Sequence, residues 1–151
     1  MKKIMFVCHG NICRSTMAEF VLKDMAHKKG LDWEIDSAAT STEEIGNDTH
    51  RGTKAKLTQK GISFTPRRAR QMTKTDYEYY DLLIGMDRYN MINMRRFYQN
   101  DPQDKLRLLL DFTERGGDIA DPWYTGNFSA TENDVESGCN GLLEFILSKK
   151  D

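Results

Sequence analysis

With 151 residues, 22 Lys+Arg against 23 Asp+Glu, a formal charge of −1 and 38% hydrophobic residues, the chain has the length and composition of one soluble domain, expected to span residues 1–151. The balanced charge gives no reason to expect nucleic acid or an anionic membrane as partner, and no apolar run approaches the roughly 20 residues of a membrane helix. Met1-Lys2-Lys3 precedes an apolar stretch too short for a secretory signal, which predicts a cytoplasmic chain whose three cysteines are thiols and not a disulfide framework.

Ile4-Met5-Phe6-Val7-Cys8, ending at Gly10, predicts a buried strand. Met17, Phe20, Val21, Leu22 and Met25 follow at helical spacing, from near Ser15 to a stop at Gly30. Trp33 to Ala38 alternates as a second strand, Thr40 to Asn47 is a polar loop, and His50 to Lys60 predicts a helix ending at Gly61. An extended Ile62-Ser63-Phe64 piece, a basic run Arg67-Arg68-Ala69-Arg70 and a short helix from near Thr73 come next. Tyr80 to Met86 predicts a third buried strand, with Tyr77, Tyr79 and Tyr80 as edge or core residues, and Asp87 the N-cap of a helix through Phe97. Lys105 to Leu110 is the expected fourth strand and Gly116 to Asn127 a long loop. Thr131 to Lys149 closes the chain as a helix with Val135, Leu142, Leu143, Phe145 and Ile146 on its apolar face. Strands alternating with helices predict an α/β fold, a parallel sheet with helices on both faces. Ligands of such sheets bind at the carboxyl ends of the strands, where the turn Cys8 to Ser15 lies.

That turn, Cys8-His9-Gly10-Asn11-Ile12-Cys13-Arg14-Ser15, can wrap its backbone N–H groups around an anion at a helix N-terminus. Gly10 and Asn11 tolerate the left-handed backbone that a tight concave loop requires. Arg14 adds a planar fork for two phosphate oxygens. The field that binds a phosphate also favours the thiolate of Cys8, Ser15 can donate a hydrogen bond to that sulfur, and a thiolate beneath a phosphoryl group is a nucleophile aimed at phosphorus. The plainer reading is a buried strand-end cysteine with a capping loop and a solvated arginine. A metal reading of Cys8, His9 and Cys13 lacks a fourth ligand, with Cys139, His27 and His50 far away in the chain. Phosphate-ester cleavage also needs an acid for the leaving oxygen and a base for water. Asp121 is the candidate, with Pro122 stiffening its backbone and Trp123 and Tyr124 available to wall a pocket or grip a phenyl ring. Alone, Asp-Pro is only a turn signal.

These residues resemble the low-molecular-weight protein tyrosine phosphatases, whose phosphate loop reads Cys-x-Gly-Asn-x-Cys-Arg-Ser and whose general acid sits in an Asp-Pro-aromatic segment near the C-terminus. Ile35-Asp36-Ser37-Ala38, Ala69-Arg70-Gln71 and Met86-Asp87 extend the match along the chain. The resemblance implies a three-layer fold with a four-stranded parallel sheet in the order 2-1-3-4. It makes Cys8 the nucleophile that becomes a phosphocysteine, Arg14 the phosphoryl ligand and Asp121 the acid and base. Asn11 then holds the loop's shape, Ser15 favours the thiolate, Cys13 pairs with the nucleophile on oxidation, and His9 and Ile12 line the pocket mouth. The implied partners are phosphotyrosine-containing proteins, the assembly is a monomer or weak dimer, and neither metal nor cofactor is implied.

Departures from the family pattern are Thr16 where proline is common, and Thr42-Glu43-Glu44 where many members place an aromatic wall. The latter predicts like-charge repulsion of acidic peptides. Some relatives support the loop with a histidine near Arg67; the run Arg67-Arg68-Ala69-Arg70 could substitute for it or steer phosphoproteins, and a solvated basic patch is the favoured expectation. Tyr124 is expected to be a pocket wall and not a phosphorylation site. The thioredoxin-coupled arsenate reductases need further cysteines that Leu83-Ile84-Gly85-Met86-Asp87 does not supply. Protein-arginine phosphatases carry threonine where Ile12 stands, and a branched apolar side chain packs better against an aromatic ring than against a guanidinium. A non-catalytic phosphate-binding module would leave Asp121 without a role.

Overall fold

The computed structural model describes residues 2–149, so Met1 and the last two positions of the expected 1–151 domain lie outside the described residues. Strands β1 (Lys3–Cys8), β2 (Glu34–Ala39), β3 (Leu82–Gly85) and β4 (Leu106–Leu108) form one parallel sheet in the order β2-β1-β3-β4. The helices are α1 (Arg14–Lys28), α2 (Arg51–Gln59), α3 (Lys74–Tyr79), α4 (Arg88–Phe97), α5 (Pro122–Thr125) and α6 (Phe128–Ser148). None of them is long and apolar enough to cross a membrane among the described residues.

Strand side chains alternate between faces, and in β1 both faces are covered. Ile4, Phe6 and Cys8 join one apolar cluster with Met17, Val21, Leu142 and Ile146 of α1 and α6. Met5 and Val7 join the other, with Tyr77 of α3 and Met94 of α4. Each fully buried side chain of this size contributes about 1.5–3 kcal/mol, so an uninterrupted apolar run is what a central strand of a three-layer fold requires. The chain leaves β1 for β2 on one side and reaches β3 on the other, which places the end of β1 at the switch point where such sheets bind ligands.

Three expectations shift. The fourth strand stops at Leu108, and Leu109–Phe112 is a 3₁₀ turn whose Leu109 and Leu110 are buried under α6. The close approach explains two glycines of α6: a Cβ at Gly138 would meet Leu109, and one at Gly141 would meet the carbonyl of Phe112. An apolar run signals burial, and here burial is achieved in a turn. The loop after Gly116 contains the short α5, and α6 begins at Phe128 because the Asn127 side chain accepts from Ala130 N at 3.0 Å and caps it earlier than expected.

Candidate active site

Cys8 lies buried at the end of β1, and its sulfur accepts the Asn11 N–H at 3.3 Å with the Ser15 hydroxyl 3.0 Å away. Asn11 Nδ2 donates to Ser15 Oγ at 2.8 Å, which leaves the serine proton free to turn toward the sulfur. Asn11 takes the left-handed conformation, φ 60°. Gly10 does not; its missing Cβ instead makes room for Glu44, whose Cγ would lie 3.2 Å from such a carbon.

A buried polar frame fixes Asn11 from behind. Its Nδ2 also donates to Ser37 Oγ of β2 at 2.9 Å, and Ser37 donates to Glu19 Oε1 of α1 at 2.5 Å. Its Oδ1 accepts from the backbone N of Arg70 at 3.3 Å and from the guanidinium of Arg67. Buried polar groups that are fully partnered specify one arrangement. The expected solvated patch is therefore corrected: Arg67 is half-buried on the loop's own asparagine and Arg70 pairs with Asp76 at 2.9 Å, while Arg68 remains exposed. Arg67 stands where the family resemblance puts a supporting histidine and makes the supporting contact. Asn11 and Ser15 are fully buried behind the loop and shape it without lining the cleft.

Arg14, at the first position of α1, is 2% exposed. Its Nη1 donates to Asp87 Oδ2 at 2.6 Å and to the Ile119 carbonyl at 3.0 Å, and its Nη2 is 3.4 Å from Asp121 Oδ2. Burial works to lower its pKa, but Cys8, Asp87 and Asp121 outweigh burial and leave it above the ordinary arginine value. The guanidinium is thus a permanent charge in a fixed plane. Asp121 caps α5, with Oδ1 accepting from Trp123 N at 3.0 Å and Pro122 at the first helical position.

Cys8, Arg14 and Asp121 line one cleft of about 130 Å³ together with His9, Gly10, Ile12, Cys13, Trp123 and Tyr124. Glu43 and Glu44 line it too, and His9 Nε2 contacts the Glu43 carboxylate. The Cys13 thiol is pushed up to about 12 by burial first and then by Cys8 and Asp121, so it is protonated at neutral pH. Cys139 is fully buried on α6 with its sulfur toward the Ala18 carbonyl, a packing position.

The spacing of the loop did not reveal Asp87, the Ile119 carbonyl, Ser37 or Glu19 as supports. Asp87 was legible as a helix cap and within the Met86-Asp87 match, not as a support of Arg14; it does cap α4, with Oδ1 accepting from Asn90 N at 2.8 Å, and its second oxygen is the one that holds Arg14. His50 was legible only as a helix start. Its ring stacks on Phe128 and meets Trp123 edge-on, and its backbone N donates to the Ile12 carbonyl at 2.8 Å, tying both walls of the cleft.

Residues 3–151 match the model of the low molecular weight phosphotyrosine protein phosphatases. The chain is 40% identical over 154 residues to the low molecular weight protein-tyrosine-phosphatase YfkJ of Bacillus subtilis, covering 99% of each. The crystal structure of YfkJ matches with a TM-score of 0.96 over 100% of this chain and 98% of that one. SP-PTP, a low molecular weight protein tyrosine phosphatase from Streptococcus pyogenes, matches at 0.88 with 41% identity over 99% and 95% of the two chains. DARP, the Drosophila arginine phosphatase, matches at 0.90 with 26% identity over 99% and 100%, so the fold does not by itself separate the two substrates. The chain belongs to the low molecular weight phosphotyrosine protein phosphatase family.

Proposed function

We propose that the chain hydrolyses phosphotyrosine in proteins, and small aryl phosphates, through a phosphocysteine at Cys8. The phosphoryl oxygens sit against the loop N–H groups and the Arg14 fork. Cys8 Sγ attacks phosphorus; the S–P bond forms as the bond to the tyrosine oxygen breaks, and Asp121 gives that oxygen its proton. The Asp121 carboxylate then takes a proton from water, which attacks phosphorus, breaks the P–S bond and releases inorganic phosphate and the thiolate. Arg14 gathers the charge that builds on the equatorial oxygens.

The observation that carries this reading is the convergence of Asp121 on Arg14, 107 residues away in sequence, at the cleft where Cys8 meets the Ser15 hydroxyl. Ile12 lines that cleft and offers an aromatic ring an apolar contact, which favours phosphotyrosine over phosphoarginine. Such an enzyme works on phosphotyrosine-containing proteins as a cytosolic monomer or weak dimer, where the nucleophilic thiol stays reduced. Turnover of para-nitrophenyl phosphate, a phosphotyrosine peptide and a phosphoarginine peptide tests it. The expected result is hydrolysis of the first two, none by Cys8→Ser, and slow cleavage of phosphoarginine. Equal turnover by wild type and Cys8→Ser contradicts the mechanism, and faster phosphoarginine cleavage contradicts the substrate.

A further inference from the structure

The cleft has a cationic floor and an acidic mouth. Arg14 on the floor is already engaged by Asp87 and Asp121. At the mouth stand Glu43 and Glu44, and the only other cationic or titratable nitrogen among the described lining residues is the His9 ring that contacts Glu43. Of the basic side chains of the neighbouring segment, Arg67 is turned to Asn11, Arg70 to Asp76 and Lys54 to Asp48, and the exposed Arg68 does not line the cleft.

The two glutamates are held there by backbone. The His9 carbonyl accepts from Ser41 N at 3.1 Å and Ser41 Oγ at 2.8 Å, and Gly46 N donates to the Ala69 carbonyl at 2.8 Å, which fastens both ends of the loop. The absent side chain of Gly10 lets Glu44 lie directly on the phosphate loop. The Glu43 side chain is 66% exposed, so its charge faces whatever follows the phosphotyrosine in. Trp123 and Tyr124, 58% and 82% exposed, add aromatic faces to the same mouth. Carboxylates beside exposed aromatic rings are the partners of an arginine or lysine side chain, by ion pairing and by cation–π contact.

Resting on the phosphotyrosine reading, we propose that Glu43 and Glu44 make the enzyme selective for phosphotyrosines flanked by basic residues and unfavourable to acidic flanks. The catalytic floor accepts any aryl phosphate, whereas the mouth reads the sign of the neighbouring residue. Charges near a protein surface steer association in proportion to their product and are screened by salt.

Three phosphotyrosine peptides that differ only in carrying Arg, Ala or Asp on both sides of the phosphotyrosine test this through kcat/KM at low and high NaCl. The expected order is Arg, Ala, Asp, with about a threefold to tenfold span at low salt, the scale of exposed ion pairs. Salt should slow the Arg peptide and speed the Asp peptide. Glu43→Gln should shrink the Arg-to-Asp ratio and Glu43→Lys, with Glu44 still in place, should bring it close to one, each ratio being taken within one variant so that overall rate cancels. Equal hydrolysis of the three peptides, a preference for Asp, or an unchanged ratio in Glu43→Lys overturns the selectivity alone. Failure to cleave any of the three peptides overturns the phosphotyrosine reading itself.

Discussion

The loop that carries Cys8 and the turn that carries Asp121 face the same cleft, yet Asn11, Arg14 and Ser15 are 0–2% exposed while Trp123 and Tyr124 beside the acid are 58% and 82% exposed. The Asn11 side chain has partners from β2, α1 and the segment before α3, and Arg14 from Asp87 and the Ile119 carbonyl, whereas Asp121 is held by one backbone N–H, the ring of Pro122 and the edge of Arg14. A group that must cradle a dianion in one geometry gains from a sealed frame, because donors fixed in advance need no reorganisation when charge develops. An acid that must reach the leaving oxygens of many proteins is better placed on a surface turn. In the proposed mechanism catalysis therefore divides between a rigid anion site and a lightly tethered proton donor.

Breaking the tethered half should show the largest effect short of removing the nucleophile. Asp121→Asn should lower kcat for a phosphotyrosine peptide by about 10²–10⁴-fold, and release of para-nitrophenol in the first turnover should suffer less because that leaving group needs little protonation. Steady-state and single-turnover rates with the two substrates check this. On the rigid side, Arg14→Lys keeps the charge but loses the fork, and kcat should fall by about 10²–10³-fold. Asp87→Asn in that background should cost little more, since Asp87 acts through the guanidinium plane; a double-mutant cycle measures the coupling.

Smaller effects separate the frame's two tasks. Asn11→Gly retains the left-handed backbone and loses the side-chain bonds, about 1–3 kcal/mol by urea unfolding. Asn11→Ala loses both and should be less stable by a further 1–2 kcal/mol or so, roughly the left-handed penalty. The smallest effect is on alkaline stability. Burial raises the pKa of Cys13 to about 12, and burial likewise raises Cys139, Tyr80 and Tyr98. The folded chain keeps these protons where the unfolded chain releases them, so their contribution is complete below the unfolded pKa values of about 8.5–10 and fades as pH rises through the folded ones. The melting temperature should fall progressively above about pH 9, and Cys13→Ala should flatten part of that slope.

Much of this was legible in the chain because it is local. A strand end, a left-handed asparagine and an arginine opening a helix lie within eight residues, and local geometry dictates which types can stand there. The sheet was legible because β1 is apolar without interruption. The supports of Arg14 were not, since Asp87 and Ile119 lie 73 and 105 residues away and only the fold brings them together. Arg67 misled for a related reason: a basic run looks solvated until the burial of its neighbours is known. The fourth strand misled because Leu109 and Leu110 are as apolar as a strand requires while α6 asks for a turn beneath Gly138.

The most direct test of the division of labour is to mix Asp121→Asn with para-nitrophenyl phosphate, quench in acid, digest the protein and locate phosphate by mass spectrometry. Phosphate should accumulate on the Cys8 sulfur, because formation of the intermediate still proceeds and the water that removes it has lost its base. Phosphate on His9 instead, or turnover with no phosphorylated protein at any time, would contradict a cysteine nucleophile served by Asp121.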